Sequence, residues 1–181
     1  MVEVETERLL LRRWRDEDLE PYARMCADPE VMRFIGNGSV LTREESDGQI
    51  LRFLRHWDER GFVLWVLEEK EGGAFVGFAG LAHQEDWVEG AHKTEVGWRL
   101  DRAFWGRGLA TEAARASVAY GFETLGLERI ISIIQPENRA SRRVAEKAGL
   151  SLRGETRWRG TTVLWYAVDR QDQPANLWPE I

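Results

Sequence analysis

Seven short segments of the chain carry the apolar pattern of β-strands. "LLLRRW" opens the series, and "RIISII" is β-branched and dense enough in apolar residues to be buried on both faces of a sheet. "KEGG", between two of the segments, has the glycines of a hairpin turn. The predicted strands cover residues 9–14, 62–69, 75–84, 93–100, 129–134, 151–159 and 162–168.

Four other segments have the apolar spacing and the terminal residues of helices. In one of them Thr42 and Glu45 form a capping box, and Gly61 ends the apolar stripe. In the last of them Asn138 is a good N-cap and Gly149 follows the final turn. The predicted helices cover residues 16–28, 42–61, 108–124 and 138–150.

The order of these elements is β-α-α-β-β-β-α-β-α-β-β, with helices inserted between groups of strands. This order predicts an α+β fold in which about seven strands form a mixed sheet that about four helices cover. The chain has no internal repeat and no long linker. We therefore expect a single domain over residues 1–170 and a polar C-terminal tail over 171–181.

The composition is typical of an ordinary globular protein, with 43% hydrophobic and 31% charged residues in a chain of 181. Cys26 is the single cysteine, which excludes an intrachain disulfide and fits a reducing compartment. The leucine run near the N-terminus is too short for a signal peptide, and no stretch approaches the roughly 20 apolar residues of a membrane helix. We expect a cytoplasmic protein that does not contact membranes.

Charge is distributed unevenly along the chain. Residues 1–98 have a net charge of −9, residues 99–159 one of +5, and residues 160–181 one of −2. A basic segment in an acidic protein is consistent with a local anion site, and equally with solvated helix faces. A nucleic-acid surface would need a broad basic face, so no nucleic acid is expected as a partner.

A glycine turn, "FWGRGLATE", stands between a predicted strand and a predicted helix at residues 104–112. Backbone N–H groups and a helix N-terminus that meet at one point form a phosphate site. The spacing does not fit a P-loop, and Thr111 stands where a dinucleotide fingerprint would have its third glycine. A purely structural turn is the alternative.

A second motif, "QPENRASRRVAEKAGL", follows the buried strand at 129–134. Asn138 and Ser141 lie three residues apart and therefore share one face of the first helical turn. Taken alone, the pair has a simpler interpretation, in which Asn138 only caps the helix and Ser141 has no special role.

Together these stretches resemble the GNAT superfamily of N-acetyltransferases, and in particular its RimJ/RimL type, whose members acetylate ribosomal-protein N-termini. The resemblance covers almost the whole chain. "TERLLLRRWRDEDLEPYARMCADPEVMRFIG" is similar to the opening strand and helix of the family, and "EVGWRL" to its central strand. "FWGRGLATEA" resembles its pyrophosphate loop and "PENRASRRVAEKAGL" its asparagine-containing helix.

The resemblance implies a GNAT-like twisted sheet that is mostly antiparallel, and acetyl-CoA as co-substrate. The pantetheine arm would pair like an extra strand with residues 97–100, where the N–H of Trp98 would meet the oxyanion. Asn138 would bond a pantetheine amide. The residues implied to bind coenzyme A are Trp98, Arg99, Leu100, Trp105, Gly106, Arg107, Gly108, Leu109, Ala110, Thr111, Asn138 and Ser141.

Acetyl transfer also needs an acid for the departing thiolate and a base for the attacking ammonium. The resemblance assigns the acid to Ser141. For the base, Glu95 at the start of "EVGWRL" is the main candidate, and a structural ion pair is its alternative role. His83 and Glu85 on the preceding strand are rivals, and the three histidines lack the spacing of metal ligands, so no metal is expected.

The acceptor would be a primary amine, on a small molecule or a peptide N-terminus, that attacks acetyl-CoA directly. The acidic first half of the chain would attract such a cation if it walls the acceptor site; otherwise it is a solvated surface. A non-catalytic acyl-CoA sensor or scaffold is the alternative function. The sequence is compatible with a monomer or a homodimer.

Overall fold

The protein folds around one sheet of eight strands. A computed structural model describes residues 3–62 and 64–172. The sheet order is β1-β2-β3-β4-β5-β6-β8-β7. The strands are β1 (Val4–Glu5), β2 (Leu9–Arg12), β3 (Leu64–Glu69), β4 (Phe75–His83), β5 (Thr94–Leu100), β6 (Arg129–Ile134), β7 (Ser151–Trp158) and β8 (Thr161–Asp169).

Five helices pack on this sheet. They are α1 (Leu19–Cys26), α2 (Pro29–Met32), α3 (Arg43–Arg60), α4 (Leu109–Glu123) and α5 (Arg139–Lys147). Short 3-10 turns at Asp16–Asp18, Arg102–Phe104 and Arg170–Asp172 complete the described elements. The mixed α+β fold that the sequence predicts is confirmed. The expected tail over 171–181 lies, from residue 173 onward, outside the described residues.

The structure adds two elements to the predicted order. β1 has only two residues, which is too short for an apolar period, and it pairs antiparallel with β2. α2 is a single turn that Asp28 caps, with Pro29 at its first position. In addition, the acidic start of the predicted first helix is a 3-10 turn, and the α-helix begins at Leu19.

The predicted helix ends are present at α3 and α5. Thr42 and Glu45 exchange hydrogen bonds of 2.7 and 3.2 Å in a capping box, and Gly61 ends α3 with φ +75°. The Asn138 side chain accepts a hydrogen bond of 3.1 Å from the Ser141 N–H at the start of α5. These caps fix both helices at their N-termini.

Apolar side chains lie on both faces of the sheet because helices cover both. One core cluster joins α4 to β4 and β5 and contains Val96 and Leu100. A second cluster joins α1 and α3 to β3 and β4, through residues such as Val66 and Phe78, and a smaller third one contains Trp87 and Ile131. Since side chains alternate along a strand, Glu95, Gly97 and Arg99 of β5 face away from α4, toward α1 and α3.

Candidate active site

β5 and β6 are the only parallel neighbours among the described strands, and they hardly pair. Their register contains one residue pair, Glu95 with Ile131. β5 pairs with β4 along its whole length, and β6 pairs with β8 through Ile134. The two strands therefore part after their first pair, and the β6-facing edge of residues 96–100 has no strand beside it.

A cleft of about 700 Å³ opens where the strands part. α3, β5, the β6–α5 connection and the β7–β8 turn each contribute to its wall. The polar and charged side chains that line it are Asn37, Gln49, Arg52, His56, His83, Gln84, Glu95, Arg99, Ser132, Gln135, Asn138, Ser141, Arg159 and Thr161. A further part of the wall is aromatic, including Phe53 and Trp158.

Glu95 lies half-buried in this cleft, at the point where β5 and β6 part. Its carboxylate accepts hydrogen bonds from the Gln84 side-chain amide at 2.5 Å and from the Ile133 N–H at 3.2 Å. Burial raises the pKa of Glu95 to about 7, although these two bonds and the charge of Arg159 oppose the rise. The carboxylate is therefore suited to accept a proton at neutral pH.

Asn138 and Ser141 line the same cleft on the α5 side. The Asn138 Oδ1 is already used as the helix cap, so its side-chain NH₂ is the part that is available to a ligand. The first turn of α5 thus presents one amide donor and one hydroxyl group to the cleft.

The glycine turn forms the N-terminus of α4. Gly106 and Gly108 have φ of +75° and +81°, in the left-handed region that glycine adopts most easily. As at the start of any helix, the first N–H groups have no acceptor within the helix, and no side chain caps them at Gly108. Exposed N–H groups at a helix N-terminus are suited to bind a phosphate anion.

Arg8, which the sequence does not single out, holds this turn in place. Its Nη1 donates to the Arg107 carbonyl at 2.8 Å. Its Nε and backbone N–H bind the Glu112 carboxylate at 2.7 and 2.8 Å, and the Thr6 hydroxyl adds a bond of 2.6 Å. Because Glu112 lies in the first turn of α4, these contacts tie the turn to the loop between β1 and β2.

The structure divides the predicted site residues into two groups. Glu95, Trp98, Arg99, Asn138 and Ser141 come together in the cleft. The turn residues Trp105, Gly106, Arg107, Gly108, Leu109, Ala110 and Thr111 follow β5 and do not line that cleft. Leu100 and Leu109 have buried side chains, so only their backbones could meet a ligand. The Trp105 Nε1 donates to the Leu100 carbonyl at 2.9 Å.

The two rival bases differ in position. His83 lines the cleft. Glu85 does not, and its largely exposed carboxylate lies 3.0 Å from both the Arg60 guanidinium and the His83 imidazole. Of the two rivals, only His83 is placed to meet a substrate.

Of the two interpretations of the acidic first half, the lining of this cleft favours the solvated surface over an acidic wall. α3 does line it, but with Gln49, Arg52, Phe53 and His56, and Glu95 is the only carboxylate in the described lining. Acidic residues of the first half pair with arginines elsewhere, as Glu20 and Asp47 do with Arg43. Net charge along the sequence could not show which side chains face the cleft.

Comparisons with known proteins agree with this geometry. A model of the acetyltransferase (GNAT) domain matches residues 8–151. The uncharacterized N-acetyltransferase YoaA of Bacillus subtilis is 31% identical over 85% of this chain and 85% of its own. The crystal structure of an acetyltransferase from Agrobacterium tumefaciens superposes with a TM-score of 0.81 at 30% identity, covering 94% of this chain and 95% of the other.

The fold and site define an acyltransferase. More particularly, the chain belongs to the GNAT family, whose acetyltransferases use acetyl-CoA and act on amines. Its structural neighbours include RimJ of Mycobacterium smegmatis in complex with CoA-disulfide, with a TM-score of 0.76 over 92% of this chain and 84% of that one. At 19% identity this likeness concerns the fold alone.

Two further findings apply to the described residues. No helix among them is both long and apolar enough to cross a bilayer. Nor do three or more of their His, Cys, Asp or Glu side chains cluster as a metal site would require.

The raised pKa of Glu95 predicts a pH-dependent stability. Between pH 4.5, the ordinary pKa of the group, and about 7, the folded protein binds more protons than the unfolded chain, so its stability falls as pH rises. Glu95→Gln removes this ionisation. We expect the difference in melting temperature, Glu95→Gln minus the natural protein, to be more positive at pH 8 than at pH 5.

Thermal melts at both pH values measure this difference. Glu155→Gln, at an exposed glutamate of β7, serves as the control and should give the same difference at each pH. A Glu95→Gln difference that is independent of pH would contradict the raised pKa.

Proposed function

We propose that the protein transfers the acetyl group of acetyl-CoA to a primary amine by direct attack within a ternary complex. The observation that carries this proposal is the position of Glu95, a carboxylate with a pKa near neutrality at the point where β5 and β6 part. In this proposal the cleft and the glycine turn supply what else the reaction needs: a place for coenzyme A, a donor to the oxyanion and an acid for the thiolate.

Coenzyme A fits the open edge of β5. Backbone groups of residues 97–100 have no strand partner on that side, so they can pair with the extended pantetheine arm as with an added strand. The Asn138 side-chain NH₂ can donate to a carbonyl of the arm. Beyond the strand, the N–H groups of Arg107 to Ala110 and the positive end of α4 would hold the diphosphate.

Glu95 acts as the general base in this proposal. An alkyl ammonium has a pKa near 10 and an α-amino terminus one near 8, so both are largely protonated at neutral pH and cannot attack until they lose a proton. A carboxylate with a pKa of about 7 accepts that proton far better than one with the ordinary value. Gln84 and Ile133 hold the carboxylate in place, and it takes the ammonium proton directly or through one water molecule.

The remaining groups stabilise what forms during attack. The Trp98 N–H lies on the open edge of β5, where it can donate to the oxygen that becomes negative as the amine adds to the thioester carbonyl. Ser141, in the first turn of α5, gives its hydroxyl proton to the thiolate as the carbon–sulfur bond breaks. Both roles depend on the parting of the strands, which brings β5 and α5 to the same cleft.

Binding of coenzyme A through the glycine turn predicts a thermal stabilisation. At a hundredfold excess over its dissociation constant, acetyl-CoA should stabilise the fold by about 2.7 kcal/mol, which raises the melting temperature by roughly 5–10 °C for a chain of this size. Gly108→Val should abolish this rise, because a branched residue disfavours the left-handed backbone and obstructs the phosphate site.

The matched control is Gly126→Val. Gly126 also has a positive φ, +66°, but lies beyond the C-terminus of α4, far from the turn. Gly126→Val should lower the melting temperature of the free protein, and acetyl-CoA should still raise it as in the natural protein. A natural protein that acetyl-CoA does not stabilise, or a Gly108→Val protein that it still stabilises fully, would argue against this site.

The role of Ser141 predicts a separation between rate and binding. Ser141→Ala should lower kcat roughly 100-fold or more, the scale of general acid catalysis, and leave the dissociation constant of acetyl-CoA almost unchanged. Steady-state kinetics and calorimetric titration measure the two effects. Equal losses in both would make Ser141 a binding residue, and a natural protein that binds acetyl-CoA without turning over any amine would be a non-catalytic module.

A further inference from the structure

Arg99 is a buried cation whose charge no carboxylate balances in the described part of the chain. It lines the cleft and is only 8% exposed. Its Nη1 donates to the Cys26 Sγ and to the Gln49 Oε1, each at 3.3 Å, and its guanidinium lies 5.1 Å from the centre of the Phe78 ring. Its Nε is buried without a hydrogen-bond partner among the described residues. None of these partners is a carboxylate that would balance the charge of Arg99.

The other buried arginine shows what compensation looks like in this fold. Arg12 is 3% exposed, and two carboxylates bind it: Asp18 at 2.8 Å and Glu68 at 2.5 Å. A buried charge is strongly destabilising unless it is paired and hydrogen-bonded. Because Arg99 faces a cleft, a ligand that enters the cleft can supply the missing negative charge.

A second arginine lines the same wall. Gln49, Arg52, Phe53 and His56 share the face of α3 that borders the cleft, as their spacing of three and four residues requires. Arg52 forms no ion pair with a carboxylate of the described residues. By contrast, Arg159 on the opposite wall is occupied, because Asp86 binds it at 2.8 Å through both carboxylate oxygens.

We propose that Arg99 and Arg52, with Gln49 between them, form a subsite for a carboxylate on the acceptor, so that the substrate is a primary amine that also carries a carboxylate. This inference rests on the proposed function. Arginine binds carboxylates through paired N–H groups. Glu95, nearer the start of β5 than Arg99, takes the ammonium proton. The acceptor is therefore an amphoteric compound and not a polycation.

The geometry separates this subsite from that of the coenzyme A phosphates. Arg99 faces α1 and α3, whereas the glycine turn leads into α4, which packs on the opposite face of β5. Glu95 and Arg99 lie four residues apart on one side of the strand, which places their Cα atoms roughly 13 Å apart. The amine and the carboxylate of the acceptor should therefore be separated by several bonds.

Matched acceptors test the proposal in two arms. One arm compares linear ω-amino carboxylates of four to eight carbons with their carboxamides. The other compares a short peptide amide that has glutamate as its second residue with the same peptide that has glutamine there. With acetyl-CoA saturating, we expect kcat/KM to be roughly 10- to 100-fold higher for the carboxylate member, the scale of a charged hydrogen bond, in at least one arm. The arm that responds distinguishes a small molecule from a peptide N-terminus.

Arg52→Gln provides the test on the protein. Arg52 is exposed, so its replacement leaves the fold intact, whereas Arg99→Gln changes a buried residue and is therefore paired with Arg99→Lys, which keeps the charge. Arg52→Gln should raise the KM of the carboxylate acceptor and remove the preference over the carboxamide, with the KM of acetyl-CoA unchanged. Arg55→Gln, on an exposed face of the same helix, should change none of these constants.

The outcomes separate the two proposals. Equal acetylation of carboxylates and carboxamides, a preference for polyamines, or a preference that survives Arg52→Gln would overturn the subsite and leave the acetyl transfer intact. Failure to acetylate any amine of either arm, neutral or charged, by a protein that binds acetyl-CoA would contradict the proposed function itself.

Discussion

The single residue pair between β5 and β6 is the constraint on which the site depends. Two parallel strands that meet only at Glu95 and Ile131 must diverge beyond that pair. The divergence frees the backbone edge of residues 96–100, opens the cleft toward α3, and brings the first turn of α5 next to β5. A fully paired sheet would fill the place of the pantetheine arm. In the proposed reaction, the gap in the sheet is therefore the binding site for that arm.

Glu95 owes its properties to the same gap. Its position at the end of the paired region partly desolvates its carboxylate, and this desolvation outweighs the hydrogen bonds from Gln84 and Ile133 and the attraction of Arg159. Each unit of pKa corresponds to about 1.36 kcal/mol, so the rise from 4.5 to about 7 is a substantial penalty on the charged form. Because its ionised form is destabilised, Glu95 is a base that works near neutral pH.

Much of this arrangement could be predicted from local sequence, and some of it could not. The capping residues Thr42 and Asn138 and the glycine turn act within a few residues, so their patterns predicted the helix ends and a candidate anion site. The tie of Arg8 to Glu112, the bond of Gln84 to Glu95 and the burial of Arg99 join distant segments, which no local pattern reveals. For the same reason the sequence left open whether the acidic residues wall the cleft or lie on a solvated surface: ion pairs such as Arg43 with Asp47 hold carboxylates away from the cleft.

The pH dependence of kcat/KM tests the role of Glu95 as the base most directly. An alkyl amine acceptor has a pKa near 10, so a rise of kcat/KM near pH 7 must come from the enzyme. In the natural protein we expect such a rise, with an apparent pKa of about 7. In Glu95→Gln this rise should disappear, activity near neutral pH should fall roughly 10²–10⁴-fold, and part of it should return as pH rises toward 10 and free amine accumulates. A variant that keeps the rise near pH 7 and a nearly normal rate would contradict this role.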